Sequence, residues 1–254
     1  MIFYFSGTGN SEWVAKFIAR ELNDELLFMP DELSGSMRYE LRKGERLGFI
    51  FPCHAWGVPK FVEDFIRRVE VENVSYVYFI VTCGDDTGQT DSIFSAAVAA
   101  KGWDCMLGRA VQMPESYVCL PGFDVDPISR EQEKYIRAND RLHQVVEDII
   151  DGRGGFDTLP GKMPWLKSRI VRPFFNRFLV TPKYFKCNGK CIGCGKCVEA
   201  CPFHNVSHDD AKRPMWGNRC VQCMRCYHVC PAHAIEWGAF TKNKGQYLCH
   251  APRL

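Results

Sequence analysis

The chain has 254 residues, a formal net charge of +2 and 14 cysteines, which exceeds one ordinary domain and points to two of unequal size. Ten of the cysteines lie after residue 186; density of this kind in a chain of this length argues against a secreted disulfide framework and for metal in a reducing compartment, so a cytoplasmic protein is expected. The sequence shows no charged-then-apolar leader and no uncharged apolar run of about 18 residues, so neither export nor a membrane span is expected.

Residues 1–157 alternate short apolar runs with helical patterns, the mark of an α/β domain with a mostly parallel sheet. Strands are predicted at 2–5, 26–29, 47–52, 76–82 and 105–113, and the middle ones are near-continuously apolar, as buried parallel strands are. Helices are predicted at 11–22, 60–69, 91–101 and 129–150, each with an apolar face. The expected fold class is α/β, a doubly wound five-stranded parallel sheet, followed by a small α+β domain.

The first predicted strand runs into Ser6, Gly7, Thr8, Gly9, Asn10 and Ser11, which open directly into a helix. Hydroxyls and backbone N–H groups at a helix N-terminus form an anion nest. The dinucleotide pattern Gly-x-Gly-x-x-Gly fails because Glu12 stands at the third glycine, and a Walker loop fails for want of Gly-Lys-Ser/Thr, so a monophosphate fits better. A plain glycine turn capped by Ser11 is the bland alternative. In a doubly wound sheet, ligands sit beyond the carboxyl ends of the strands at the switch point. The loop after the third strand contains Pro52, Cys53, His54, Ala55, Trp56 and Gly57, and the loop after the fourth contains Thr82, Cys83 and Gly84.

These three loops, in this order, resemble flavodoxin-like domains over about residues 1–150. The resemblance implies FMN, with phosphate contacts from Ser6, Thr8, Gly9, Asn10 and Ser11. It implies ring contacts from Pro52, Ala55, Trp56, Gly57, Thr82, Cys83 and Gly84. His54 beside such a ring could tune or protonate it, although a loop histidine is more commonly exposed to water. Tyr117 could close over the site or equally serve as a core anchor.

A Gly-rich, charged stretch at 151–155 marks the expected boundary, so 1–155 is the first domain, 156–186 a basic helical connector and 187–254 the last domain. The connector mixes Trp165, Ile170, Phe174 and Phe178 with Lys and Arg, and residues 158–198 contain no acidic side chain. It reads as a helical strap, broken near Pro173, packing the domains together or as a docking surface for an acidic redox partner or an anionic membrane face. Residues 1–157 carry 16 basic and 26 acidic side chains and residues 158–254 carry 16 and 4, giving −10 and +12.

The last domain holds CIGCGKCVEACP from Cys191 and CVQCMRCYHVCP from Cys220, one spacing repeated at an offset of 29 residues. Cysteines two residues apart let three thiolates converge on one cubane, while the fourth, followed by proline, serves the other cubane. Cluster one then takes Cys191, Cys194, Cys197 and Cys230, and cluster two takes Cys220, Cys223, Cys226 and Cys201. Tetrahedral zinc needs two pairs rather than three evenly spaced cysteines and a Cys-Pro. A three-cysteine radical S-adenosylmethionine motif beginning at Cys187 is set aside, because its other two cysteines are already used and the remaining chain is too short for a barrel. Cys187 and Cys249 are spare thiols. The negative charge of thiolate-ligated clusters offsets part of the basic excess, so nucleic acid is not expected as a partner.

Residues 185–240 closely resemble the bacterial two-[4Fe-4S] ferredoxins, and the whole chain resembles a bacterial family of fused flavodoxin-like and ferredoxin proteins. The resemblance implies an electron-transfer protein relaying electrons between FMN and two [4Fe-4S] clusters, and on to a redox partner protein or small-molecule acceptor. Two alternatives stand beside it. One is a flavin-dependent reductase of a small molecule supplied through the clusters; the other is a non-catalytic donor module docking on a larger redox enzyme.

Overall fold

The computed structural model describes residues 1–251, so the final residues of the expected last domain, 252–254, lie outside the described residues. Strands β1 (Ile2–Tyr4), β2 (Leu26–Phe28), β3 (Leu47–Pro52), β4 (Val77–Cys83), β5 (Cys105–Gln112) and β6 (Gly155–Asp157) form one sheet in the order β2-β1-β3-β4-β5-β6. Every pairing in it is parallel. The expectation of five strands is thus corrected to six. β6 is a three-residue exposed edge strand starting at a glycine, too short for a periodicity signal, and it straddles the expected boundary at 155. Arg109 secures it by donating to the Gly155 carbonyl at 2.8 Å while pairing with Asp148 at 2.7 Å.

Strand alternation builds a core on each face of the sheet. Phe3, Phe5, Phe49, Phe51 and Phe79 point to one side, under α2 (Lys60–Arg68) and α3 (Thr90–Ala99). Ile2, Ile50, Tyr78 and Ile80 point to the other, under α1 (Asn10–Leu22) and α4 (Ile128–Ile150). Tyr78 is fully buried across Gly48, where any Cβ would collide with its ring. The first five strands in this order follow the doubly wound pattern whose switch point lies between β1 and β3.

Residues 164–178 form one continuous helical segment with a wide turn at Lys167–Val171. The cysteine region follows. Phe185–Cys187 pairs antiparallel with Ile235–Trp237, and Val206–His208 pairs antiparallel with Pro214–Trp216. One-turn helices Lys196–Glu199 and Arg225–His228 carry the repeats. The sequence repeat is also a backbone repeat: at the same offset, Gly193 (φ 64°) matches Gln222 (54°), Gly195 (78°) matches Met224 (60°), and His204 (47°) matches His233 (48°). Gln222 and Met224 therefore hold a left-handed conformation that the first repeat assigns to glycine.

Candidate functional site

Two hollows lie in the cysteine region. One is lined by Cys191, Cys194, Cys197 and Cys230, and the other by Cys201, Cys220, Cys223 and Cys226. The fourth cysteine of each repeat thus crosses to the hollow of the other. It is held there by a matching contact: the Asn205 N–H points to Cys201 Sγ and the Ala234 N–H to Cys230 Sγ, both at 3.3 Å. Such N–H groups stabilise a thiolate. The thiols ring a hollow rather than meet at a point, and among the described residues no three His, Cys, Asp or Glu side chains are placed to hold a single ion.

The residues present fit iron–sulfur clusters. At the second hollow, the buried Trp216 Nε1 has no oxygen or nitrogen partner and is directed at the Cys226 thiol. An N–H donor aimed at a thiol suits a negatively charged sulfur-rich group. Burial pushes the Cys223 thiol up to about 12 and raises Cys226 well above its ordinary value, so these thiols hold their protons at neutral pH until a metal displaces them.

The hollows differ in access. Cys194 and Ile192 are exposed at the first, with exposed Lys190, Lys196 and Lys212 nearby. The second is lined by Phe185, Phe203, Val206, Val221 and Trp216 and has no exposed cysteine, and Phe203 packs on Phe5 and Phe61 of the α/β domain. Cys187 adjoins Cys191 at the first hollow.

The loop after β1, expected to hold a phosphate, is covered by other parts of the chain. Gly9 takes the left-handed conformation (φ 103°), its N–H donates to Ser6 Oγ at 3.1 Å, and Ser11 Oγ bonds Thr82 Oγ1 at 2.7 Å. Arg225 of the second cysteine repeat donates to the Gly7 carbonyl at 2.9 Å, and a Cβ on Gly7 would collide with the Cys223 carbonyl. From the C-terminal stretch, the Cys249 N–H donates to the Thr8 carbonyl at 2.8 Å and the Tyr247 hydroxyl bonds Asn10 Oδ1. Asn10 Nδ2 donates to the Pro114 carbonyl at 2.9 Å.

The two loops assigned to a flavin ring are filled in a similar way. Gly84 is packed by the Glu115 side chain and Gly57 by Arg172. Ala55 and Trp56 are left-handed (φ 47° and 61°), and the Lys167 ammonium sits 5.2 Å from the Trp56 ring centre. Thr82 and Cys83 are buried, and Pro52 half-buried. Burial, with the Arg172 guanidinium nearby, lowers His54 to about 4. Tyr117 packs on Phe123 and Phe175 with its hydroxyl buried and unpaired. Among the described residues no protein acceptor takes the N–H groups of Thr8, Asn10 or Ser11. The donor chemistry therefore suits a phosphate, but the space for FMN is taken by this chain's own residues, and FMN does not fit this arrangement.

Sequence reasoning missed the groups that do the covering, Arg225, Tyr247 and Cys249. Nothing in their local pattern marks them, because their partners lie more than 200 residues away in the chain.

Comparison with known proteins bears on the thiol hollows. Residues 190–235 match the 4Fe-4S dicluster domain. No curated protein matches the chain. Among solved structures, the chain is similar to a protein described as a flavoprotein from Bacteroides uniformis, at 16% identity, covering 44% of this chain and 88% of that one with a TM-score of 0.35. It is also similar to the Trp repressor binding protein from Bacillus subtilis, at 17% identity over 56% of this chain and 95% of that one, again at 0.35. Likenesses this distant carry no functional argument. A mostly parallel α/β domain is thus joined to a 4Fe-4S region, and among the described residues no helix is long and apolar enough to cross a membrane.

Proposed function

We propose that this chain is an electron-transfer protein with two resident [4Fe-4S] clusters, held by Cys191, Cys194, Cys197 and Cys230 and by Cys220, Cys223, Cys226 and Cys201. The observation that carries this reading is the pair of hollows, each lined by four thiols in the crossed arrangement. When bound, such clusters pass single electrons. The chain's own part is to exclude water from the second hollow with Phe185, Phe203 and Trp216, and to aim N–H groups at the fourth cysteines. Exposed Cys194 makes the first hollow the port for a partner or small acceptor, with the second reached through the first.

The relay through FMN expected from the sequence is not carried into this mechanism, because the loops that would hold FMN are filled. A second reading is an open form, in which the cysteine region lifts and a phosphate-bearing ligand takes the loop; the unpaired N–H groups of Thr8, Asn10 and Ser11 favour it. Reduction of a small molecule on a flavin would require that same open form.

The test is anaerobic purification with iron, sulfide and flavin analysis, followed by paramagnetic resonance of the reduced protein. About eight irons per chain and no flavin are expected. About four irons or fewer would overturn the two-cluster reading, and stoichiometric FMN alongside full iron would establish the open form.

A further inference from the structure

The connector helix at 164–178 is oriented against the usual rule, with polar groups inward and apolar groups outward. Ser168, only 2% exposed, donates to the Trp56 carbonyl at 2.7 Å and accepts from the Gln89 N–H at 2.8 Å. Arg172 reaches the Val58 carbonyl at 2.6 Å and Glu63 at 2.8 Å, and Lys167 pairs with Asp86 at 2.6 Å. Phe175 alone supplies a buried ring on that side, against Tyr117. These contacts pack the helix, unbroken at Pro173 where a break was expected, on the α/β domain, and they use up the inner face.

The outer face is apolar. Met163, Trp165, Ile170, Phe174 and Phe178 are between 52% and 65% exposed. Leu166, Ile170, Phe174 and Phe178 recur every fourth residue, so they form one strip along the helix, and the rings of Phe174 and Phe178 meet 4.7 Å apart on it. Isolated exposed apolar residues are ordinary, whereas a contiguous strip of large ones marks a docking surface.

Charge identifies the occupant. Lys162, Arg169, Arg177 and Lys183 flank the strip, and no acidic side chain occurs from 158 to 198. Large aromatic and aliphatic groups framed by cations without anions are the composition of a helix lying in the plane of a membrane surface, its apolar side in the headgroup boundary. A helix of 15 residues rises only about 22 Å, too short to span and long enough to lie flat. We propose that residues 163–178 seat this protein on the surface of an anionic membrane, with Trp165, Ile170, Phe174 and Phe178 entering the interface and Arg169 and Arg177 meeting headgroup phosphates.

The test uses the full cluster-loaded chain with two sets of vesicles, phosphatidylcholine alone and phosphatidylcholine containing phosphatidylglycerol, followed by flotation at low and high salt. Binding to the anionic vesicles is expected, reduced by salt and weak or absent on the neutral ones. Trp165→Ser/Phe174→Ser/Phe178→Ser should weaken it by about tenfold or more. Arg169→Gln/Arg177→Gln, which leaves the apolar strip intact, should weaken it severalfold and reduce its salt dependence. Iron content and circular dichroism confirm that each variant is folded. No binding to anionic vesicles at low salt would overturn the proposal, as would undiminished binding by the folded triple variant. Sedimentation velocity of the lipid-free chain provides the competing outcome: a concentration-dependent dimer lost in the triple variant, without vesicle binding, would assign the strip to a second copy instead.

Discussion

The two cysteine repeats share a spacing and a set of left-handed backbone positions, yet they live in different surroundings. The first, from Cys191, opens to solvent among lysines; the second, from Cys220, lies under Phe203 and Trp216 and presses on the loop after β1. Spacing therefore decides which thiols meet, and tertiary packing decides which of the two hollows a partner can reach. A chain position as small as Gly7 matters to the second repeat and to nothing in the first.

The strongest way to test this comparison is to remove one ligand from each side. Cys226→Ser should lower iron from about eight to well below about four per chain, since the crossed thiols couple the two sites, and also loosen the contact with the α/β domain. Cys194→Ser should cost similar iron with a smaller change in unfolding midpoint. Iron analysis and anaerobic urea unfolding check both; equal midpoints would erase the distinction. Next in size is Gly7→Leu, which forces a side chain into the Cys223 carbonyl and should destabilise by about 1–3 kcal/mol. Gly189→Leu, in open space beside the first repeat, should stay within about 0.5 kcal/mol in the same urea titration.

Access can be tested by charge. Lys190→Glu/Lys196→Glu/Lys212→Glu should slow oxidation of the reduced protein by ferricyanide about tenfold at low ionic strength, with the difference fading as salt is added. An unchanged stopped-flow rate would mean that electrons leave by another route. The smallest effect is on pH dependence. Burial and Arg172 hold His54 at about 4, below its ordinary 6.5. Between those values the unfolded chain binds the extra proton, so stability falls as pH drops through that window, by at most about 1.4 kcal/mol per unit. His54→Gln should flatten the slope of urea midpoints between pH 7 and pH 5.5.

Much of the α/β domain was legible because its strands are uninterrupted apolar runs such as Leu47–Pro52 and Val77–Cys83, bounded by loops. β6 was not, since three residues around Phe156 carry no period and depend on Arg109 for their place. The sorting of the thiols into two hollows was legible because the cysteine spacing is a local pattern. The covering of the loop after β1 was not, because it arises from contacts between Gly7 and Cys223 and between Thr8 and Cys249, which no local pattern announces. The connector showed its apolar and basic content in sequence, but only the contacts of Ser168 and Arg172 reveal that its polar side faces inward.

The crossing of Cys201 and Cys230 has a bearing on assembly. Each repeat lends its last thiol to its neighbour, so neither hollow can be completed by one repeat alone. A metal centre held this way would act as a clasp joining two stretches of chain, and a second one would share the same pair of stretches. Opening one releases an end that the other depends on. Loading and loss should accordingly be cooperative, with half-filled molecules scarce during reconstitution or oxidative damage.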